Sequence, residues 1–208
     1  MADNYLERKM EDLRRGPAKG YSSRPSAHRT GYIQFPFPPK RVVIASDLAS
    51  LNSIAKAFLK ADCKVAVMNS NREAGEKMAH DEGIRYYPVH LANINELSPF
   101  TNKALEKAFE NLLEAWRDVD ILIADSLPVE TLLPIWRRHR KRFPYVSSYT
   151  CRTIVFGDAD IQRLKSLAEG IKTTINVIDL KDSERDLSEL IITLSLPGND
   201  VIDGIKIG

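Results

Sequence analysis

The stretch "VVIASDLASLNSIAKAF", residues 42–58, governs how the rest of the chain is read. Its first four residues are apolar and rich in β-branching, which suits a strand buried on both faces. Ile54, Ala57, Phe58 and, just beyond, Ala61 then recur at helical spacing on one face. A strand, a short turn and a helix therefore follow one another. The turn between them contains no glycine. Positive φ angles and close approach of another molecule to bare main chain are both disfavoured there.

Outward from this segment, strand-like runs alternate with helical periodicity. The runs are "RVVIA", "KVAVM", "IRYYPV", "VDILIA", "PYVSS", "TTINVIDL" and "VIDGIKI". Such alternation argues for a parallel sheet of about seven strands with helices on both faces, a three-layer α/β architecture. A second apolar stripe runs through Ala104, Leu105, Ala108, Phe109, Leu112, Leu113 and Trp116, behind a capping Ser98 and a Pro99 at the first helical position. Asp158 is expected to cap "ADIQRLKSLAEG", with Gly170 as the left-handed residue past its end, and Ser183 with Asp186 resembles a capping box. Residues 1–15 read as a short polar helix. Residues 16–40, rich in Gly, Pro and Ser, read as an extended arm, so the expected division is an N-terminal helix and arm over 1–40 and a domain over 41–208.

Composition narrows the function classes. Thirty basic residues against 28 acidic ones give a net charge of +2, too balanced to steer the whole molecule toward nucleic acid or lipid. The charged start lacks the apolar core of a secretory signal, no run is long enough to span a membrane, and a cytoplasmic location is expected. Cys63 and Cys151 lie far apart without metal-type spacing and are expected to be buried free thiols.

From about Arg41 to the C-terminus the chain resembles the short-chain dehydrogenase/reductase family. The resemblance rests on "KAFLKADCKVAVMNSNREAGEKMA", similar to that family's first helix, second strand and second helix. It rests also on "RLKSLAEGIKTTINVIDL", similar to its catalytic helix and sixth strand, and on "SELIITLSLPGNDVIDGIKIG", similar to its closing helix and last strand. It implies a Rossmann-like doubly wound sheet and, for intact members, NAD or NADP as cofactor.

Against that pattern the cofactor residues depart. The family's TGxxxGxG turn falls on Ile44, Ala45, Ala49 and Leu51, so its glycines are absent. Leu51 is expected to put a branched side chain near the phosphate path. Asp47 adds a carboxylate whose repulsion of a phosphate oxygen is about 1–4 kcal/mol at 4 Å in a solvated setting. The vestigial crevice is read as Ala45, Ser46, Ala49, Ser50, Leu51, Asn69 and Asn71. Ser46, Ser50, Asn52 and Ser53 are read as caps at the helix N-terminus, with a retained site for a small anion as the alternative. After the second strand stand Asn69, Ser70 and Asn71 in place of the acidic ribose ligand, then Arg72. His90 stands where the family often has an aspartate at the adenine.

The catalytic half departs further. The resemblance places Thr153 at the tyrosine and Gly157 at the lysine, and neither exchanges a proton near neutral pH. Sliding the register to Tyr145 or Tyr149 restores no Tyr/Lys pair, and Ser147 or Ser148 at the serine position lacks a proton donor to work with. The chain is short where the family has its glycine-ending turn and following helix after "DILIADS", between Ser148 and Thr153, and after "INVIDL". No GxSxG elbow, phosphate loop or HExxH pair is present, and His28, His80, His90 and His139 have no ligand-like spacing.

The expectation is a non-catalytic scaffold or interaction subunit with no cofactor and no metal, forming a homo-oligomer, with a dimer favoured and built through the last strand and closing helix. The first alternative is an NAD(P)-dependent oxidoreductase with an atypical site. A second is nucleic-acid binding through "WRRHRKRF", whose basic residues 137–142 otherwise read as a solvated face or as part of the helix that the family uses for subunit pairing.

Overall fold

In the computed structural model, residues 40–91, 99–144, 151–178, 191 and 206–207 are described, and all fall within one unit of the chain, Ile33–Gly208. The expected N-terminal helix, Ser98 and the Ser183–Asp186 capping box lie outside these residues. Among those described, the order is β1 (Arg41–Ala45), α1 (Leu51–Lys60), β2 (Lys64–Asn69), α2 (Arg72–Glu82), β3 (Arg85–Pro88), α3 (Pro99–Trp116), β4 (Ile121–Asp125), α4 (Ser126–Arg142), β5 (Cys151–Phe156), α5 (Ile161–Leu167), β6 (Thr173–Ile178) and β7 (Lys206–Ile207). All neighbouring strands are parallel, and they lie in the order β3-β2-β1-β4-β5-β6-β7. The chain winds outward from β1 in both directions. That places its topological switch between β1 and β4, where such sheets open a crevice at the carboxyl ends of their strands.

Alternation along the strands divides the core into two layers. Val43, Ala45, Met68, Leu122, Ala124 and Val155 face Phe109, Leu112, Leu113, Leu132 and Trp136 of α3 and α4. Val42, Ile44, Val67, Ile123 and Ile154 face Ile54, Phe58 and Met78 of α1 and α2, with Ile191 in the same layer. Both faces of the sheet are thus covered. This is why its strands are near-continuous apolar runs. On α2, Gly75 lets the Tyr86 ring of β3 lie directly against the helix backbone, space that any Cβ would take.

Three elements differ from the sequence expectation. The fifth strand among the described residues is Cys151–Phe156, which is not one of the expected runs; "PYVSS" lies, after its first residue, outside the described residues. Helix α5 is capped by Asp160, whose carboxylate accepts from the Gln162 and Arg163 amides, and not by Asp158, because the helix begins two residues later than the apolar pattern suggests. Ala104, included in the α3 stripe, is exposed, whereas Leu105, Phe109, Leu112 and Leu113 are buried. Pro99 opens α3 as expected, and Gly170 adopts φ +85° just after α5.

Candidate functional site

The switch point is built from the ends of β1, β2 and β4. Ser46, the first residue past β1, is buried, and its hydroxyl donates to Asp125 Oδ1 at the end of β4 (2.8 Å). Ser46 Oγ itself accepts from the Leu48 amide (3.1 Å), closing a two-residue turn. Asp125 Oδ2 accepts from the Asp47 amide (3.2 Å). Asp47 reaches the other way, its carboxylate accepting from the Ser70 amide (2.7 Å) and the Ser70 hydroxyl (2.6 Å) past the end of β2. Ser70 Oγ in turn accepts from the Leu91 amide (3.3 Å), so the segment after β3 is tied in as well. Two carboxylates therefore cross-link three strand ends, and the Ser70 hydroxyl adds the segment after the fourth.

The electrostatics of this cluster are unusual in one respect. Among the described residues no basic side chain pairs with Asp47 or Asp125. Burial pushes the Asp125 carboxyl above its ordinary range, the Ser46 and Asp47 hydrogen bonds pull it back in part, and the negative charge of Asp47 pushes it further up. Nearby, Asn69 is buried with its Oδ1 unpartnered, its backbone carbonyl accepting from the Tyr86 hydroxyl (3.3 Å).

The residues read as a vestigial crevice are not all brought together. Ala45 is a core residue, and Leu51 is buried in the α1 layer beside Val42 and Ile44 rather than projecting over the turn, as its place at the first position of the helix allows. The bulk expected from Leu51 is thus directed into the core, and Asp47 is what occupies the turn. Ser50 precedes α1 but makes no side-chain cap; the Leu51 amide is satisfied by the Leu48 carbonyl (3.1 Å). Ala49 is exposed. Asn71 caps α2, accepting from the Ala74 amide (3.1 Å), and Arg72 pairs with Glu76 four residues on. His90 is exposed.

Thr153 lies in the middle of β5, fully buried, its hydroxyl 2.9 Å from that of Thr173 on β6, and not on a helix as the alignment with the catalytic segment requires. Gly157 follows the strand at φ +90°, its amide donating to the Ile178 carbonyl (3.0 Å). The alignment is displaced because "CRTIVF" is a β-branched run forming a strand, so any proton relay of the family's kind would have to begin beyond it. The short helix α5 contains Lys165 but no tyrosine. The contraction after β4 takes a particular form: β4 ends at Asp125 and α4 begins at Ser126, so the glycine-ending turn is absent while a 17-residue helix remains.

At the opposite edge of the sheet the ionisable groups are paired. Arg41 donates through its amide and Nε to Asp120 Oδ2 (2.8 and 2.9 Å), through Nη2 to Oδ1 (3.0 Å), and through Nη1 to the Trp116 carbonyl (2.9 Å). Burial alone pushes Asp120 up, but the hydrogen bonds and charge of Arg41 outweigh it and hold the carboxyl below its ordinary range. Arg140 donates to both oxygens of Asp118 (2.7 and 3.2 Å), both side chains being at most 3% exposed, and Trp136 Nε1 donates to the same carboxylate (2.8 Å). Arg140 also contacts Cys151, whose thiol burial pushes up to about 12; Cys63 is likewise raised to about 12, and both are free and buried.

The basic run 137–142 is therefore not one face. Arg140 is internal, Arg138 pairs with Glu110 (3.2 Å), His139 Nε2 donates to the Arg117 carbonyl (2.8 Å) and Arg142 lies over the Phe143 ring. Among the described residues no group of His, Cys, Asp and Glu is arranged to hold a metal, and no helix is long and apolar enough to cross a membrane.

Solved structures share the fold at low identity. A citronellol catabolism dehydrogenase of Pseudomonas aeruginosa, AtuB, superposes with a TM-score of 0.55 at 12% identity, over 88% of this chain and 96% of that one. A metagenomic short-chain oxidoreductase in complex with NADP gives 0.53 at 10% identity, over 82% and 98%. An NADH-dependent reductase, A1-R′, complexed with NAD gives 0.51 at 11% identity, over 68% and 78%. No family model matches the chain. No curated protein matches it in sequence. The chain has the Rossmann-like α/β fold of the short-chain dehydrogenases and reductases.

Proposed function

We propose that this chain is a non-catalytic protein of the short-chain dehydrogenase fold, acting as a scaffold or interaction subunit without a nicotinamide cofactor. The observation that carries this reading is the mutual engagement of Ser46, Asp47, Ser70 and Asp125 at the switch point. A dinucleotide laid across this edge needs donors for its pyrophosphate and a partner for its ribose hydroxyls. Here the Asp47 amide and the Ser46 and Ser70 hydroxyls already donate to carboxylates, and Asn71 is spent on capping α2. Two carboxylates with no basic side chain paired to them among the described residues repel the phosphates in addition. These residues do not fit the cofactor.

Retention of both core layers beside a ligand edge whose hydroxyls and carboxylates bond one another suits a chain used for its surface. The alternative, an atypical oxidoreductase, draws on two similar structures that hold NAD and NADP. Nucleic-acid binding through residues 137–142 is weakened by the burial of Arg140 and the pairing of Arg138.

Calorimetric titration of the purified chain with NAD, NADH, NADP and NADPH separates the first two readings. The expected result is no saturable heat and no thermal stabilisation up to millimolar cofactor. Saturable sub-millimolar binding of any of the four would overturn the proposal in favour of the oxidoreductase.

A further inference from the structure

Three adjacent strands end in polar side chains on one face of the sheet. Ala45 of β1 is the register partner of both Met68 on β2 and Ala124 on β4, so the next residue, Ser46, lies between Asn69 and Asp125. Val42 and Ile44, Val65 and Val67, and Ile121 and Ile123 all face the α1 layer. Strand alternation turns Ser46, Asn69 and Asp125 to that same face, and the bond from Ser46 to Asp125 agrees with it. Asp47 completes the group, donating its amide to Asp125 and accepting through its carboxylate from Ser70, the residue after Asn69.

Two features of this group are left over after its hydrogen bonds are counted. The first is charge. Each of the four carboxylate oxygens accepts one hydrogen bond and keeps a lone pair, and the charge of Asp47 pushes Asp125 up with no cationic side chain to pull it down. The second is Asn69, only 5% exposed, whose Oδ1 is buried without a partner. A buried acceptor in that condition is unfavourable and calls for a donor or a cation. With two unneutralised carboxylates beside it, a cation satisfies both features together. Every available donor atom is an oxygen, and no third His, Cys, Asp or Glu joins the pair among the described residues. That set suits a hard cation which keeps several of its own waters, not zinc. The Ser46 and Ser70 hydroxyls hold the two carboxylates in place, as hydrogen-bonding neighbours do around metal ligands.

We propose that the carboxyl edge of the sheet holds a hard divalent cation of the Mg²⁺ class, bound by the carboxylates of Asp47 and Asp125 and the amide oxygen of Asn69, with water completing its coordination. This departs from the sequence expectation of no metal. It also goes beyond the non-catalytic reading, giving the edge an occupant of the opposite sign to a dinucleotide. Cation and dinucleotide are titrated separately, so failure of one reading is distinguishable from failure of the other.

Calorimetric titration of the chelator-treated full-length chain with MgCl₂, at ionic strength held constant with NaCl, tests this. The expected result is one saturable site per chain with a dissociation constant of about 0.1–1 mM. The thermal midpoint is expected to rise with Mg²⁺. Asp125→Asn and Asn69→Leu are each expected to weaken binding at least about tenfold. In chelator, Asn69→Leu is expected to be as stable as wild type or more so, because it removes an unpartnered buried amide, so its loss of binding is not a loss of folding. Asn69→Asp adds a third carboxylate and is expected to tighten binding at least about tenfold. No saturable heat, an effect reproduced by NaCl alone, an Asn69→Leu variant that binds as wild type does, or an Asn69→Asp variant that binds no more tightly would each overturn the proposal.

Discussion

The two edges of this sheet solve the same problem with different partners. At the amino ends of β1, β4 and β5, the carboxylates of Asp118 and Asp120 each face a guanidinium, from Arg140 and Arg41. At the carboxyl ends of β1, β2 and β4, Asp47 and Asp125 face hydroxyls and amides. Both arrangements tie strands that lie far apart in sequence. Only the first neutralises its charge, and only the second lies where folds of this kind receive a ligand. The difference teaches that hydrogen bonds tie the strand ends at the second edge without neutralising its carboxylates, which on the proposed reading disfavours an anion there.

If the paired edge holds the sheet together, removing one member of its most buried pair should have the largest effect. Arg140→Ala leaves Asp118 charged and buried and is expected to cost about 3–5 kcal/mol in urea denaturation. An Asp118→Leu, Arg140→Met double variant should recover most of that loss. At the other edge, Asp47→Ala removes two hydrogen bonds to an exposed carboxylate and is expected to cost about 1–2 kcal/mol. A larger loss for Asp47→Ala than for Arg140→Ala would reverse the ranking of the two edges.

Acid titration of stability sharpens the comparison, because the two edges have opposite signs. Asp120 is held below its ordinary range, so its contribution is present above the unfolded carboxylate pKa of about 3.9 and is lost as pH falls through the folded value. Asp125 is raised, so its contribution is fully present below that unfolded pKa and is lost as pH climbs through the folded value. The stability gap between wild type and Asp120→Asn should therefore widen as pH rises across the acid range. The gap for Asp125→Asn should narrow over its own, higher interval. Parallel slopes for the two variants would contradict the assignment. The smallest effect is expected from Arg138→Ala, within about 0.5 kcal/mol by thermal denaturation, since its pair with Glu110 is exposed.

The architecture was legible because buried parallel strands are written as unbroken apolar runs, as "VVIA", "VAVM" and "ILIA" are. The fifth strand, "CRTIVF", is hard to read because Arg152 and Thr153 interrupt its apolar run, and the burial of Thr153 against Thr173 of β6 depends on a strand pairing that the sequence alone does not show. Asp47 was recognised as a charge in the turn, but its partners were not. Ser70 and Asp125 lie 23 and 78 residues away, and only the strand order brings them together. One signal was available: a strand ending in aspartate and passing directly into a helix. Arg140 was hidden inside a charged run, although it stands four residues from Trp136 and seven from Leu133 and so on the apolar face of α4.

The central claim is that the protein's own carboxylates hold the edge where a cofactor would lie. A crystal structure grown with saturating NADPH examines that edge most directly. The account predicts Asp47 still bonded to Ser70, Asp125 still bonded to Ser46, and no dinucleotide along the turn from Ala45 to Leu51. An ordered dinucleotide there, with Asp47 swung away from Ser70, would contradict it.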